Sequence, residues 1–311
     1  MKLRNLLGVA AGTVGLTALA NRLLTARSET FEPYLDGDHD TYRWRGFDVG
    51  YTEAGDPDDQ DLLLFHGINA AASGHEFWPV FEKLSEEYHV IAPDLPGYGH
   101  SDRPPLLYSA SLYTTFVTDA IEDLADEPPV VVASSLTGSY AAMAAAKSEV
   151  RELVLVTPTD SSMGGGRVWL RALLRSPLVG QAIYNLIASK YSIRHFHEDH
   201  GYYNMDNLPD DVVDYEWQSA HQPGARFAPA SFLSGFLDPD EDLEKALEQL
   251  DVPVTLVWGR EADITPLEDG RKLAERADAR LVVFDNSLLL PHVEHPDEFV
   301  DVVRKNVEPE R

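Results

Sequence analysis

The sequence predicts an α/β protein built on a mostly parallel sheet. Three observations predict it. Short runs that are apolar throughout alternate with helical segments, as strands covered by helices on both faces do. The alternation stops once, between about residues 161 and 240, and resumes afterwards. One apolar run, Pro129 to Ala133, passes through Ser134 and Ser135 straight into an alanine-rich helix.

The elements read as follows. Tyr42 to Glu53 alternates in polarity and reads as a hairpin or two short strands. Asp61 to Phe65 is a buried-type strand. Ser73 to Glu86 reads as a helix, with Ser73 and Glu76 at capping-box spacing. Tyr88 to Ala92 is the next strand and Ser111 to Ala125 the next helix. Pro129 to Ala133, Leu153 to Val156, Val254 to Trp258 and Ala279 to Phe284 continue the sheet. Leu136 to Lys147 is helical. Thr265, Pro266 and Glu268 open another helix, with threonine as cap and proline at the first position. The last helix runs from about Pro296 to Val307.

The interrupted stretch, 161–240, holds helical segments, several aromatics and His195, His197, His200 and His221. It reads as a helical cap inserted into one domain. The core is then 42–160 with 241–311, preceded by a polar, acidic linker over 28–41 and an N-terminal segment over 1–27.

Composition narrows the function. The 311 residues carry 52 Asp and Glu against 25 Lys and Arg, a formal net charge of -27. No region is basic enough to follow a phosphate backbone, which argues against nucleic acid as a partner. Such a charge repels itself in dilute buffer and is screened in concentrated salt, so the surface reads as salt-adapted, or halophilic. There is no cysteine, which excludes disulfides and thiolate chemistry. Hydrophobic residues make up 44%, a globular balance.

Residues 6–24 are the targeting-like feature. Lys2 and Arg4 precede an apolar run from Leu6 to Ala20, broken by Asn21 and Arg22 and extended by Leu23 and Leu24. Three readings compete: an uncleaved membrane anchor, a secretory signal ending at Ala18-Leu19-Ala20, or an apolar helix packed on the globular body. The first is preferred, and with it a membrane-associated location; the alternative is a cytoplasmic one.

The turn Val132-Ala133-Ser134-Ser135-Leu136-Thr137-Gly138 has the strand–turn–helix setting of a nucleophile elbow at Ser135. The positions two before and two after must be small. They are Ala133 and Thr137, and the bulkier threonine predicts a slightly distorted turn. Read without chemistry, Ser135 would be a helix cap.

With that elbow the chain resembles the α/β-hydrolase superfamily. Phe65-His66-Gly67-Ile68, the loop Asp94-Leu95-Pro96-Gly97-Tyr98-Gly99-His100-Ser101, Trp258-Gly259-Arg260-Glu261 and Pro291-His292-Val293-Glu294-His295-Pro296 follow in the same order and spacing. The resemblance covers about residues 42 to 308 and is greatest to a poorly characterised branch with prokaryotic, including salt-adapted, members. It implies an α/β-hydrolase fold, with a mostly parallel sheet of about eight strands and an inserted helical cap. It also implies Ser135 as nucleophile and the backbone N–H groups of Leu136 and Ile68 as oxyanion donors.

The rest of the triad departs from the pattern. The acid's position falls on Ala262, with Asp263 one residue late. Asp160, after the sixth strand, is the alternative acid. The histidine's position falls on Leu289, and leucine cannot carry a proton. His292 is then the nearest imidazole and the expected base, redirected toward Ser135 and oriented by Asp263. Against these stand plainer readings: a solvated loop acid for Asp263, and for His292 a histidine satisfying backbone carbonyls. His66 and His295 resemble recurrent histidines outside the triad. His195, His197 and His200 match no strong metal spacing and read as a solvated cap turn; no metal and no cofactor is expected.

The expected activity is hydrolysis of a carboxylic ester of a small or moderately apolar substrate through an acyl-enzyme. Cleavage of carbon–carbon bonds is not separable from it here. Haloalkane dehalogenation is disfavoured, because it uses a carboxylate where this chain has Ser135. The alternative is a non-catalytic ligand-binding or interaction protein on the same fold, motivated by Ala262 and Leu289.

Overall fold

The structure, a computed structural model, describes residues 17–24, 26 and 31–307. Eight strands form one sheet in the order β1-β2-β4-β3-β5-β6-β7-β8. They are β1 (Asp38–Trp44), β2 (Phe47–Ala54), β3 (Asp61–Phe65), β4 (His89–Pro93), β5 (Val130–Ser134), β6 (Glu152–Val156), β7 (Val254–Gly259) and β8 (Arg280–Phe284). β1 pairs β2 and β2 pairs β4 antiparallel, and every other pairing is parallel. This is the sheet that the resemblance implied. β1 begins earlier than the sequence reading, inside the stretch taken as linker.

Successive side chains of the central strands divide between two cores, as the two-residue period of a strand requires. Leu63, Phe65, Val131, Ala133, Leu153 and Leu155 pack on one face, with helices α3 (Ala110–Leu124) and α4 (Ser135–Ala145). Leu62, Leu64, Val130, Val132, Val154 and Val156 pack on the other, with α2 (Phe81–Leu84) and α13 (Pro296–Val307). Burial on both faces is why these strands read as continuous apolar runs rather than as alternating ones.

Between β6 and β7 lie α5 (Val168–Arg175), α6 (Val179–Ile187), α7 (Lys190–Phe196), α8 (Asp210–Ala220), α9 (Phe227–Leu233) and α10 (Leu243–Glu248). A single π-type turn, His197–Gly201, follows α7. The insert has its own apolar cluster, including Tyr184, Ile193, Tyr202, Val212 and Val213, which takes in Ala71 and Val293 from the core. Tyr184 Oη donates to the Ala70 carbonyl at 2.6 Å.

The membrane anchor expected over residues 6–24 is overturned. Among the described residues no helix is long and apolar enough to cross a membrane, and residues 6–16 lie outside the described residues. The described part, helix α1 over residues 17–24, lies against the insert. Asn21 Nδ2 donates to the Leu178 carbonyl at 3.3 Å, and Asn185 Nδ2 donates to Asn21 Oδ1 at 3.1 Å. The polar residue that interrupted the apolar run thus finds its partners on protein. The membrane-associated location and the membrane partner expected from that segment fall with it.

The expected helix over Ser73–Glu86 is also corrected. A 3-10 turn, Gly74–Phe77, and the short α2 replace it. Ser73 forms no side-chain cap; its hydroxyl pairs with His75 Nδ1 at 2.7 Å. What fixes this segment is Asp94, at the end of β4. Its buried carboxylate accepts from Gly74 N–H at 2.7 Å and from His100 N–H at 2.6 Å. Gly99, at φ +48, leaves that carboxylate room, since a Cβ there would stand 2.0 Å from it.

Asp94→Ala strands the buried Gly74 N–H and the part-buried His100 N–H. An unsatisfied buried group costs about 1–3 kcal/mol and a part-buried one less, so the variant should lose roughly 2–4 kcal/mol of stability, read as a lower urea midpoint. An unchanged midpoint would show that water replaces the carboxylate without penalty.

Candidate active site

Ser135 stands at the junction of β5 and α4 with φ +53, in the left-handed region that side-chain-bearing residues rarely adopt. Such strain persists only where surroundings impose it, and it concentrates at functional positions. The surroundings are visible. Ala133 is fully buried within the sheet. Thr137 is fully buried too, and its Oγ1 donates to the His66 carbonyl at 2.7 Å. The threonine that predicted a distorted turn is therefore bonded into place. Gly138 packs on Pro158, where a Cβ would stand 2.9 Å from the proline Cβ.

His66 ties this turn to its neighbours. Its Nε2 accepts from Leu95 N–H at 3.0 Å and its Nδ1 donates to the Gly67 carbonyl at 2.7 Å. Burial lowers its pKa, consistent with a neutral ring whose tautomer these two bonds set. Ile68 and Leu136, the expected oxyanion donors, lie together with Ser135 on one cavity wall.

Two cavities meet at Ser135. The larger, of about 440 Å3, is mostly apolar, with Ile68, Met163, Ile193, Phe196, Leu233 and Ile264 in its walls. The smaller, of about 80 Å3, is lined by Gly67, His75, Glu76, Ser135, His197 and Glu216 among others. His197, Glu216 and Leu289 border both.

The remaining site residues expected from the sequence do not come together. His292 is fully buried on α12 (Pro291–Glu294), its ring against Phe77 and Phe299, and it lines neither cavity. Its Nε2 stands 3.3 Å from Glu76 Oε1, near enough for an ion pair but out of line for a hydrogen bond. The redirected loop expected to bring it to Ser135 is not formed, because Pro291 begins a helical turn that buries the ring.

Asp263 pairs with a different imidazole. Its carboxylate lies 2.9 and 3.1 Å from His200 Nδ1, on the insert, and is half exposed. Asp160 accepts from Leu243 N–H at 3.2 Å, at the start of α10. The positions where the resemblance implies acid and base are apolar: Ala262 packs with Trp258 and Leu267, and Leu289 lies against them.

Charge has instead collected on the small cavity's wall. Glu76, read from the sequence as half of a capping box, is turned inward. Its Oε2 accepts from Gly67 N–H at 2.8 Å. Burial alone would raise its pKa; His292, the Ser134 hydroxyl and the Gly67 N–H outweigh that and hold it at about 2. Glu216, on α8, is 4% exposed. Its carboxylate lies 2.8 and 3.0 Å from His197 Nε2 and 3.3 Å from His75 Nε2. Burial raises its pKa, and the two imidazoles overcome this and bring it to about 2.

The solvated cap turn expected at His195, His197 and His200 is thus correct for His195, which is exposed, and wrong for His197, which is 5% exposed. No local signal in the sequence marks Glu216 as the partner, since it lies 19 residues away on another helix.

The alpha/beta hydrolase family profile matches residues 62–302. An uncharacterized protein of Mycobacterium tuberculosis is 27% identical over 91% of this chain and 85% of its own length. A pimeloyl-[acyl-carrier protein] methyl ester esterase of Aliivibrio salmonicida is 26% identical over 80% of this chain and 93% of its own. Among solved structures, the 2-hydroxy-6-oxo-6-phenylhexa-2,4-dienoate hydrolase of Rhodococcus sp. strain RHA1 superposes with a TM-score of 0.70 at 21% identity, covering 88% of this chain and 99% of that one. That likeness is one of fold, and the family match, which takes in the parallel strands, the elbow and the insert, makes this chain a member of the alpha/beta hydrolase family.

Proposed function

We propose that the chain is a serine hydrolase that cleaves a carboxylic ester through an acyl-enzyme on Ser135. The observation that carries this reading is the left-handed Ser135 at the junction of two cavities, with Ile68 and Leu136 beside it. A helix cap needs no such strain. A nucleophile does, because the strained turn lifts its hydroxyl out of the sheet toward substrate. The backbone N–H groups of Leu136 and Ile68 would hold the oxyanion.

The larger cavity suits an apolar acyl or alkyl group of moderate size. The similar methyl ester esterase and dienoate hydrolase are in keeping with that class. The surface is further proposed to be adapted to salt, on the strength of its net charge of -27.

A second reading is favoured by one specific observation. Leu289 occupies the position of the family's histidine, and His292 is sealed behind Glu76. On that reading the cavity binds a ligand without turning it over.

Hydrolysis of p-nitrophenyl esters of short to medium chain separates the two. Wild type should turn over, and Ser135→Ala should lose roughly a thousandfold or more in kcat at unchanged melting temperature. Wild type should also be labelled by a fluorophosphonate at Ser135. Absence of both turnover and labelling would favour the ligand-binding reading.

Melting temperature should rise between about 0.1 and about 3 M potassium chloride, as screening relieves self-repulsion. A flat or falling series would contradict the salt adaptation.

A further inference from the structure

A serine needs a base to become a nucleophile near neutral pH, and the family's own position for it is Leu289. The small cavity offers one imidazole with the required arrangement. His197 is nine-tenths buried and borders both cavities that Ser135 borders. Its Nε2 is engaged by the Glu216 carboxylate, so the hydrogen of the neutral ring sits there and the lone pair is on Nδ1. Nδ1 is buried and has no hydrogen-bond partner. Beside it stands Gly201, also on the cavity wall, where a Cβ would come within 2.7 Å of Nδ1. The glycine at the end of the π-type turn therefore leaves room for the ring to sit with this nitrogen against the turn's own backbone.

We propose that His197 is the base that activates Ser135, with Glu216 as the positioning residue that fixes its tautomer. The inference rests on the reading of Ser135 as an acylating nucleophile. Ser135 Oγ attacks the ester carbonyl carbon and its proton passes to His197 Nδ1. The imidazolium, held against Glu216, returns that proton to the departing alkoxide as the carbon–oxygen bond breaks. Water then repeats the cycle: its proton goes to Nδ1 and its oxygen to the acyl carbon, and the proton returns to Ser135 Oγ as the bond from Oγ to the acyl carbon breaks and the carboxylic acid leaves. The serine–imidazole hydrogen bond is not made in the resting protein, and such contacts commonly tighten only when substrate is bound.

Four other imidazoles of the core and insert, His66, His75, His200 and His292, are committed elsewhere. His66 is bonded through both nitrogens. His75 is held between Ser73 and Glu216. His200 is part-exposed on Asp263 and lines neither cavity, and His292 is sealed against Glu76. Nor do His75, His197 and Glu216 form an open metal site, because both Nε2 atoms point at the carboxylate, which occupies the place where ligands would converge.

The pH profile follows from the groups around the ring: Glu216 on α8, His75 and Glu76 on the 3-10 turn, Arg194 on α7, and Tyr202 after the π-type turn. Burial lowers the pKa of His197 and Arg194 opposes its charge; Glu216 outweighs both, with a net rise from 6.5. The base acts only when neutral, so kcat/KM should fall toward acid through a pKa above the ordinary imidazole value. In Glu216→Gln the carboxylate's pull is gone and burial remains, so that limb should move to lower pH and the plateau should drop.

The test is p-nitrophenyl butyrate hydrolysis by the full chain in high salt. His197→Ala should lose about 100- to 10,000-fold in kcat, and added imidazole should restore part of it, which repair of a merely structural defect would not require. His200→Ala should retain turnover. Should His197→Ala fail to fold, the near-isosteric Glu216→Gln decides by the displacement of its acid limb. The inference is overturned if Ser135-dependent turnover survives His197→Ala, if His200→Ala abolishes it, or if Glu216→Gln leaves the limb in place. An enzyme with neither Ser135-dependent turnover nor fluorophosphonate labelling overturns the parent reading, and the base assignment with it.

Discussion

The left-handed conformation of Ser135 is the constraint on which the rest of the site depends. At φ +53 it costs on the order of 1–3 kcal/mol, and the chain holds it by making every neighbour small or bonded. Ala133 is small, Gly138 has no side chain to meet Pro158, and Thr137 spends its hydroxyl on the His66 carbonyl. His66 in turn binds Leu95 N–H and the Gly67 carbonyl, and Asp94 binds Gly74 and His100. The ends of β3, β4 and β5 are thus one hydrogen-bonded unit. Ile68 and Leu136, whose N–H groups are proposed as the oxyanion donors, sit on that unit, so the strain at Ser135 and the placing of those two residues have a common cause.

Charge around that unit does not lie where the resemblance implies it. Ala262 and Leu289, at the positions it gives to acid and base, pack in an apolar cluster. Two buried carboxylates, Glu76 and Glu216, line the small cavity that Leu289 also lines, each held at a pKa of about 2. A buried ion carries a penalty of several kcal/mol unless its partners are well placed. Glu76 meets this with the Gly67 N–H and His292, Glu216 with His75 and His197. Buried ionised groups beside a cavity are characteristic of functional sites, although ion pairs that only support structure also occur. Several buried polar atoms of this cluster have no hydrogen-bond partner, Nδ1 of His197, Oε1 of Glu76 and both nitrogens of His292 among them, whereas a structural network gains from satisfying every buried polar atom.

What was legible in the sequence was whatever depends on near neighbours in the chain. The central strands were readable because burial on both faces makes them continuous apolar runs, and the elbow because strand, turn and helix are contiguous around Ser135. What failed depends on contacts between distant segments. Ser73 and Glu76 have the spacing of a capping box, yet Glu76 is drawn inward by Gly67 and His292, and no helix forms there to cap. Asp263 and His292 flank the expected positions in the chain, but one turns out to His200 and the other in toward Glu76. The pairing of His197 with Glu216 could not be read from either residue alone. The apolar N-terminal run misled for a similar reason: Asn21 is satisfied by α6 and the residue before it, which the sequence does not announce.

Ser135 belongs to the core, whereas His197 and Glu216 belong to the insert, so the site exists only while the insert is seated. Several contacts seat it. Tyr184 Oη donates to the Ala70 carbonyl, Leu289 N–H donates to the His200 carbonyl at 3.3 Å, and Asn204 N–H donates to Glu294 Oε1 at 3.0 Å. His200 and Asp263 add a part-exposed pair across the same boundary. Exposed pairs of this kind contribute little and weaken as salt rises. The bonds to backbone carbonyls and the apolar cluster that joins Ala71 and Val293 to the insert do not depend on net charge. For the salt-adapted surface proposed from the charge of -27, that division matters. Contacts that survive screening hold the insert over Ser135, while the charged groups that matter most, Glu76 and Glu216, are withdrawn from solvent, where salt screens them least.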